Sequence, residues 1–237
     1  MKKSIVTFLF ALAAMPSFAH YLWVETSSTG ELNKEQTIKV HFGEYTYGVI
    51  EKVGEDSFNA VKGFTLYVID PKGKRTALEV TAQTDHYSAS FTPKKKGTYT
   101  VVLDNDQIDV IDYTKYDFGI FRTHYNSMAK VQVGDDEANT AAQNAEGIAI
   151  QQLKSESGIE LLVTYKGEPL LENEVKVFVA DQWSKTLETD KQGKVAFDLP
   201  WNGKYIVETT IKEEVPGQFR GEDYEFIWHC ATTCITN

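Results

Sequence analysis

Residues 64–73, FTLYVIDPKG, contain the pattern that decides the fold class: a short alternating stretch followed directly by turn residues. Within residues 64–69 the side chains of one parity are all apolar, as in a strand that buries one face. The next four residues, DPKG, favour a tight turn, because aspartate, proline and glycine each suit a turn position. The stretch therefore predicts one strand and the turn that ends it.

The same combination recurs along most of the chain, whereas helix signals are few. Strands about 8–12 residues apart with turns between them are typical of an antiparallel sandwich. We therefore predict an all-β chain made of two antiparallel β-sandwich domains, the first of them Ig-like. The stretches behind this prediction are residues 21–24, 37–42, 64–69, 78–81, 86–91, 98–103 and 128–133, then 159–165, 175–179, 189–197, 202–208 and, as an edge strand, 224–230.

The division into domains follows from chain length and from one polar segment. Residues 134–147, GDDEANTAAQNAEG, are small, polar and acidic, which predicts a linker. The flanking segments, residues 20–133 and 148–237, each suit a domain of about a hundred residues. Residues 105–126 are rich in Asp and Tyr without a clean period, and we predict a long excursion there with a short helix.

The N-terminus predicts export. A positive start, MKK, precedes an apolar run over residues 5–14, which is too short to span a bilayer. Ser17 and Ala19 then occupy the small-residue positions read by signal peptidase. We expect residues 1–19 to be a cleaved signal peptide, which makes His20 the first residue of a periplasmic protein without a membrane span. The alternative is a retained N-terminal anchor.

Charge and motifs exclude several function classes. The net charge of −10, without basic clusters, makes binding to nucleic acid or anionic lipid a poor expectation. The sequence contains neither Gly-x-Ser-x-Gly nor a phosphate-binding glycine loop, and no cysteine in a nucleophile context. We therefore predict a protein that is not an enzyme.

The two cysteines, Cys230 and Cys234, lie four residues apart in WHCATTC. An oxidising compartment favours a disulfide between them. Four residues of extended strand cover about 13 Å, however, and a disulfide needs α-carbons about 4.4–6.8 Å apart, so residues 231–233 must turn if the bond exists. The alternative is a pair of metal thiolates beside His229.

Two stretches of the second half, KGEPLLENEVKVFV at 166–179 and TDKQGKVAFDLPWNGKYIVE at 189–208, resemble the prealbumin-like sandwich of carboxypeptidase regulatory domains. The resemblance covers roughly residues 158–212. It implies a prealbumin-like sandwich for residues 148–237 and no chemistry, because such modules are attached to many functions.

Three short motifs extend the resemblance over nearly the whole mature chain: HYLWV at 20–24, FGE at 42–44 and WHCAT at 228–232. Together they resemble periplasmic proteins of a domain of unknown function associated with nickel and cobalt uptake. The resemblance implies a metal-related periplasmic protein. The cysteine pair and the lack of a histidine-rich tract depart from it and argue against bulk metal storage.

A histidine in the first position has unusual chemistry, since its α-amine and its imidazole Nδ1 can chelate one divalent ion together. Further histidines across the sheet would complete a site for Cu(II) or Ni(II), which favour nitrogen ligands. We expect His229, which adjoins two sulfurs, and His124, which we place in a loop at the end of the excursion. His41 is expected on the polar or domain-facing side of its strand, and His86 in a solvated turn. No His-x-His, His-Glu-x-x-His or Cys-x-x-Cys spacing supports a particular set.

These observations predict binding or delivery of a divalent transition-metal ion (nickel, cobalt or copper) without turnover, with His20, His124 and His229 as ligands. The partner would be a metal-uptake transporter or an outer-membrane receptor. One alternative is an envelope module that binds a glycan or a protein through aromatic loops and sheet edges. A second is a histidine-brace copper oxygenase built on His20. The identity of the metal, the partner and the oligomeric state stay open.

Overall fold

The computed structural model describes residues 20–135, 144, 146–155, 158–180 and 183–236. The predicted signal peptide and most of the predicted linker lie outside these residues. Within them the fold is all-β, as predicted, with one six-residue α-helix, α1 (Asp56–Val61), and 3-10 turns at Tyr45–Tyr47 and Thr114–Tyr116. None of the helices in this part of the chain is long and apolar enough to cross a membrane.

Strands fill both halves of the described chain. The first half contains β1 (Tyr21–Thr26), β2 (Thr29–Gly30), β3 (Gln36–Glu44), β4 (Val49–Ile50), β5 (Thr65–Ile69), β6 (Arg75–Ala77), β7 (Thr81–Ala82), β8 (Tyr87–Phe91), β9 (Gly97–Asn105), β10 (Ile111–Asp112) and β11 (Ile120–Val133). The second half contains β12 (Ile148–Gln152), β13 (Ile159–Tyr165), β14 (Glu168–Pro169), β15 (Glu174–Phe178), β16 (Ser184–Glu188), β17 (Lys194–Phe197), β18 (Lys204–Glu213), β19 (Gly217–Phe219), β20 (Glu222–Tyr224) and β21 (Phe226–Thr236).

One ten-stranded sheet runs through both halves, in the order β16-β15-β18-β21-β11-β9-β5-β6, with β2 and β10 also paired to β11. A five-stranded sheet, β1-β3-β8-β7 with β4 on β3, belongs to the first half. A four-stranded sheet of β12, β13, β14 and β17 belongs to the second. The two predicted domain segments therefore share a sheet.

The two halves meet where β11 and β21 pair in parallel, from Phe121 opposite Phe226 to Met128 opposite Thr233. On its other edge β21 pairs antiparallel with β18. The prediction of an edge strand at 224–230 is therefore wrong. Because β21 is bonded on both edges and largely buried on both faces, it lacks the clean alternation of a half-exposed strand.

Each half has its own hydrophobic core between two sheets. In the first, Leu22 and Ile38 belong to the cluster that contains Val101 and Val131. The second contains Ile150, Leu161, Val163, Val177, Val207 and Ile235. A further cluster joins the halves, because Tyr21 and Trp23 on the opposite face of β1 pack against Phe178 and Ile206. Since burial of one large apolar side chain contributes about 1.5–3 kcal/mol, this contact holds the two sandwiches together firmly.

Both cysteines are free thiols on the extended strand β21, and the predicted disulfide is not formed. Cys230 pairs with Thr210 and Cys234 with Ile206, so the ladder with β18 continues through the segment between them. Because residues 231–233 stay extended in this ladder, they do not form the turn that a disulfide between Cys230 and Cys234 requires.

Candidate functional site

The parallel register of β11 and β21 sets His124 directly opposite His229. Paired residues on neighbouring strands project from the same face of the sheet, and the two imidazole ring centres lie 5.2 Å apart. Both histidines are buried, and both line a cleft of about 340 Å³ at the junction of the two halves. Two of the three predicted metal ligands are thus brought together.

A carboxylate on the neighbouring strand holds each ring. His124 Nε2 lies 2.8 Å from Asp104 Oδ1 at the end of β9, and His229 Nε2 lies 3.0 Å from Glu213 Oε2 at the end of β18. When Nε2 donates its proton to the carboxylate, the lone pair of the ring is on Nδ1. The Nδ1 atom of His229 is buried and has no hydrogen-bond partner among the described residues.

The surroundings keep these carboxylates ionised. Burial opposes ionisation of Glu213, but hydrogen bonds from Lys166 and His229 outweigh it and lower its pKa to about 2. Burial likewise opposes ionisation of Asp104, yet hydrogen bonds from His124 and Asn126 lower its pKa. Burial lowers the pKa of His229, which favours the neutral imidazole that a metal ion requires.

The four side chains do not form a closed ligand shell. Among the described residues no three His, Cys, Asp or Glu side chains are grouped so that they could hold a metal ion. The two carboxylates occupy the positions of the outer hydrogen-bond partners that commonly orient metal-bound histidines. Chemically, the pair offers two oriented imidazoles beside an accessible cleft.

His20, which precedes β1, lies on the opposite side of the β11–β21 pair from His124 and His229. Its backbone carbonyl accepts a hydrogen bond from the Tyr125 hydroxyl at 3.0 Å, and Tyr125 points away from its neighbour His124. The His20 ring is held through Nε2 by Glu51 Oε1 at 2.8 Å. The structure therefore separates His20 from the pair, and the three predicted ligands do not share one site.

The two remaining histidines also form a pair. The ring centres of His41 and His86 are 5.3 Å apart, with His86 Nδ1 2.7 Å from Asp85 and His41 stacked on Trp23. Burial lowers the pKa of His41. The sequence did not predict this pairing, because it depends on the antiparallel contact of β3 with β8.

Sequence reasoning put His124 in a loop, and this is wrong: it lies within β11, which already begins at Ile120. The signal was present, since Arg122, His124 and Asn126 alternate with Phe121, Thr123 and Tyr125. The sequence did not predict that Asp104 and Glu213 hold these histidines, because acidic residues are common in this chain and their partners are distant in sequence.

The comparisons with solved structures give remote matches. A DUF4785 family protein from Legionella pneumophila matches with a TM-score of 0.33 and 10% identity, over 82% of this chain and 52% of that one. Escherichia coli alpha-2-macroglobulin matches with a TM-score of 0.30 and 12% identity, over 95% of this chain and 15% of that one. The chain thus spans about half the length of the Legionella protein and a small part of the macroglobulin.

No curated protein matches the chain. A family model described as a domain of unknown function, DUF4198, matches residues 17–213. This range includes the first-half sandwich, the junction strand β11 with His124, and the second half as far as Glu213. Because the match covers well over half of the sequence, the chain belongs to the DUF4198 family.

Proposed function

We propose that the protein is a periplasmic binding protein for a divalent transition-metal ion (nickel, cobalt or copper) and that it supports a metal-uptake system without turnover. The observation that carries the proposal is the 5.2 Å separation of the His124 and His229 ring centres. When two imidazoles bind one ion, each ring centre lies about 3.2 Å from the metal. The two ring centres are then about 4.5–5.2 Å apart for N–metal–N angles between about 90° (square-planar) and about 109° (tetrahedral). The observed spacing suits one shared ion.

In this proposal one nitrogen of each ring binds the ion, and Asp104 and Glu213 fix the rings through their hydrogen bonds. The buried Nδ1 of His229, which has no partner among the described residues, is the donor on that ring. Two protein nitrogens leave the remaining coordination positions to water or to a partner. An ion with only two protein ligands has an incomplete coordination shell, which suits delivery to a partner better than storage.

His20 remains a separate proposed ligand that requires cleavage after Ala19. The contact with Glu51 uses Nε2 of the His20 ring and does not involve Nδ1. Nδ1 is the ring atom that would chelate the ion together with a free α-amine. Such a chelate would lie on the opposite face of β11 and β21 from the His124–His229 pair. The two sites therefore predict different responses to substitution.

Native mass spectrometry of the protein isolated from a periplasm tests the proposal by titration with Ni(II), Co(II), Cu(II) and Zn(II). We expect one ion at the His124–His229 site, with an affinity about 100-fold lower in His124→Ala or His229→Ala, and a second ion only where His20 is the free N-terminus. The matched control is His86→Ala, which removes an imidazole from the other pair and should leave affinity unchanged.

Each other outcome has a defined meaning. Loss of the ion only in His20→Ala would move the site to the chain terminus and overturn the shared site at the junction. Loss only in His86→Ala would move it to the His41–His86 pair. If none of the four metals gives a specific adduct, the metal proposal fails, and the alternative of a glycan- or protein-binding module gains support.

A further inference from the structure

A cavity lies on the face of β11 and β21 opposite the histidine pair. Its volume is about 620 Å³, within the usual range of small-molecule sites. The helix α1 and the segment between β9 and β11 supply its outer walls, and β18 and β21 contribute to its floor. We call it the aromatic cleft.

Aromatic rings dominate the lining. They include Phe42, Tyr113, Phe118, Phe121, Tyr125 and Trp228. Phe118 packs edge-on against Trp228 with 5.3 Å between ring centres, and 36% of Phe118 remains exposed. The cleft is therefore walled by π faces and open to an entering molecule, and π faces attract cations as well as apolar groups.

The charged lining has one sign. Glu51, Asp109 and Glu208 line the cleft, and no Lys or Arg does so among the described residues. Two of these acids are already paired, Glu51 with His20 and Asp109 with Arg220 at 2.6 Å. Glu208 has neither a hydrogen bond nor an ion pair with any described residue.

Glu208 is held in this position by the sheet. It lies in β18, between Lys176 of β15 and Thr232 of β21 in the ladder. Burial raises its pKa to about 7, and the nearby Glu174 and Glu44 add to this against the opposing charge of Lys176. Glu208 is half-buried at the surface of the cleft, and a cation bound there would favour its ionised form.

We propose that the aromatic cleft binds a small organic cation, an ammonium compound whose charged nitrogen pairs with Glu208 and whose apolar body packs against the aromatic rings. Charge complementarity favours a cationic ligand over an anionic or a neutral one. An anion would meet three carboxylates and no Lys or Arg side chain among the described lining, where the one imidazole, His20, is already held by Glu51. A neutral molecule would leave Glu208 unpaired. The site is separate from His124 and His229, which face the other way, but His20 is part of its lining.

The test uses benzyltrimethylammonium as the probe and neopentylbenzene, its uncharged isostere, as the paired ligand. Binding of each to the full mature protein at pH 8 is measured by ligand-observed NMR and calorimetry. We expect the cation to bind at least about tenfold more tightly than the isostere, and Glu208→Gln to remove that advantage.

The matched control is Glu188→Gln, which removes the same charge from an exposed position on the edge strand β16 and should change nothing. Thermal unfolding followed by circular dichroism establishes that both variants are folded. Equal affinity for the cation and the isostere would reduce the cleft to an apolar cavity and overturn the proposal. Unchanged cation binding in Glu208→Gln, or no binding of the cation at millimolar concentration, would also overturn it.

Discussion

The two faces of the β11–β21 junction differ sharply, although the same two strands build both. One face carries His124 and His229 with their carboxylates, and the other carries Phe121, Tyr125 and Trp228 in the aromatic cleft. Alternation along the strands assigns each residue to one face only. A strand pair at the boundary of two sandwiches can thus hold two chemically distinct sites, and substitutions at adjacent positions should have separable effects.

The largest expected effect is on stability, and it distinguishes the two faces. Phe121 is buried and stacked on Phe226. The substitution Phe121→Ala should therefore lower the free energy of unfolding by about 3–5 kcal/mol. His124→Ala should cost only about 1–2 kcal/mol, because it loses hydrogen bonds and little apolar burial. Urea unfolding of both variants checks this. An equal decrease in the free energy of unfolding in the two variants would mean that both faces contribute alike to stability.

The second prediction concerns two adjacent residues of β21. If the two proposals hold, Trp228→Ala should weaken benzyltrimethylammonium binding about tenfold and leave nickel binding intact. His229→Ala should do the reverse, with about 100-fold weaker nickel binding. Calorimetric titration of both ligands into both variants gives the four values. If either variant lost binding of both benzyltrimethylammonium and nickel, the two faces would be coupled.

The third prediction uses the pH dependence of stability. Glu208 has a folded-state pKa of about 7 against an ordinary value of 4.5, so ionisation opposes folding as pH rises between these values. Glu208→Gln should therefore stabilise the protein by roughly 1–3 kcal/mol at pH 8 and hardly at pH 4. Urea unfolding at both pH values provides the measurement. A variant less stable at pH 8 than the parent protein would mean that the carboxylate has a stabilising partner.

The smallest expected effect is on the polar face. Lys166 pairs with Glu213 and lines the cleft with the two histidines. Replacing it as Lys166→Met removes a positive charge near the proposed ion, which should raise metal affinity about two- to fivefold. Lys185→Met, on the exposed strand β16, is the control. A lower affinity in Lys166→Met would indicate that Lys166 is needed to hold Glu213 against His229.

Local patterns predicted the strands and turns well, because alternation and turn residues act over a few positions. The strand predicted at 64–69 corresponds to β5 (Thr65–Ile69), and the turn predicted after it lies between β5 and β6. The shared sheet was not predictable in the same way. The pairing of Phe121 with Phe226 joins residues more than a hundred positions apart, and no local signal specifies it.

The candidate site shows the same limit. His124 and His229 could be chosen as candidates by residue type, but their contact depends on the parallel register of β11 and β21. The unpaired Glu208 could not be recognised at all, since an acidic residue in a strand is usually solvated. What makes it unusual is the absence of a partner within the described structure, and that is a property of packing.

The position of β21 also has a consequence for how the protein forms. Among the described strands it comes last in the chain, yet it fills the gap between β18 and β11 in the ten-stranded sheet. Until it inserts, the facing edges of those two strands, 10 and 14 residues long, have unpaired backbone groups. Exposed edges of this kind recruit other chains, so the interval before the final strand docks is when the nascent protein most needs protection from aggregation.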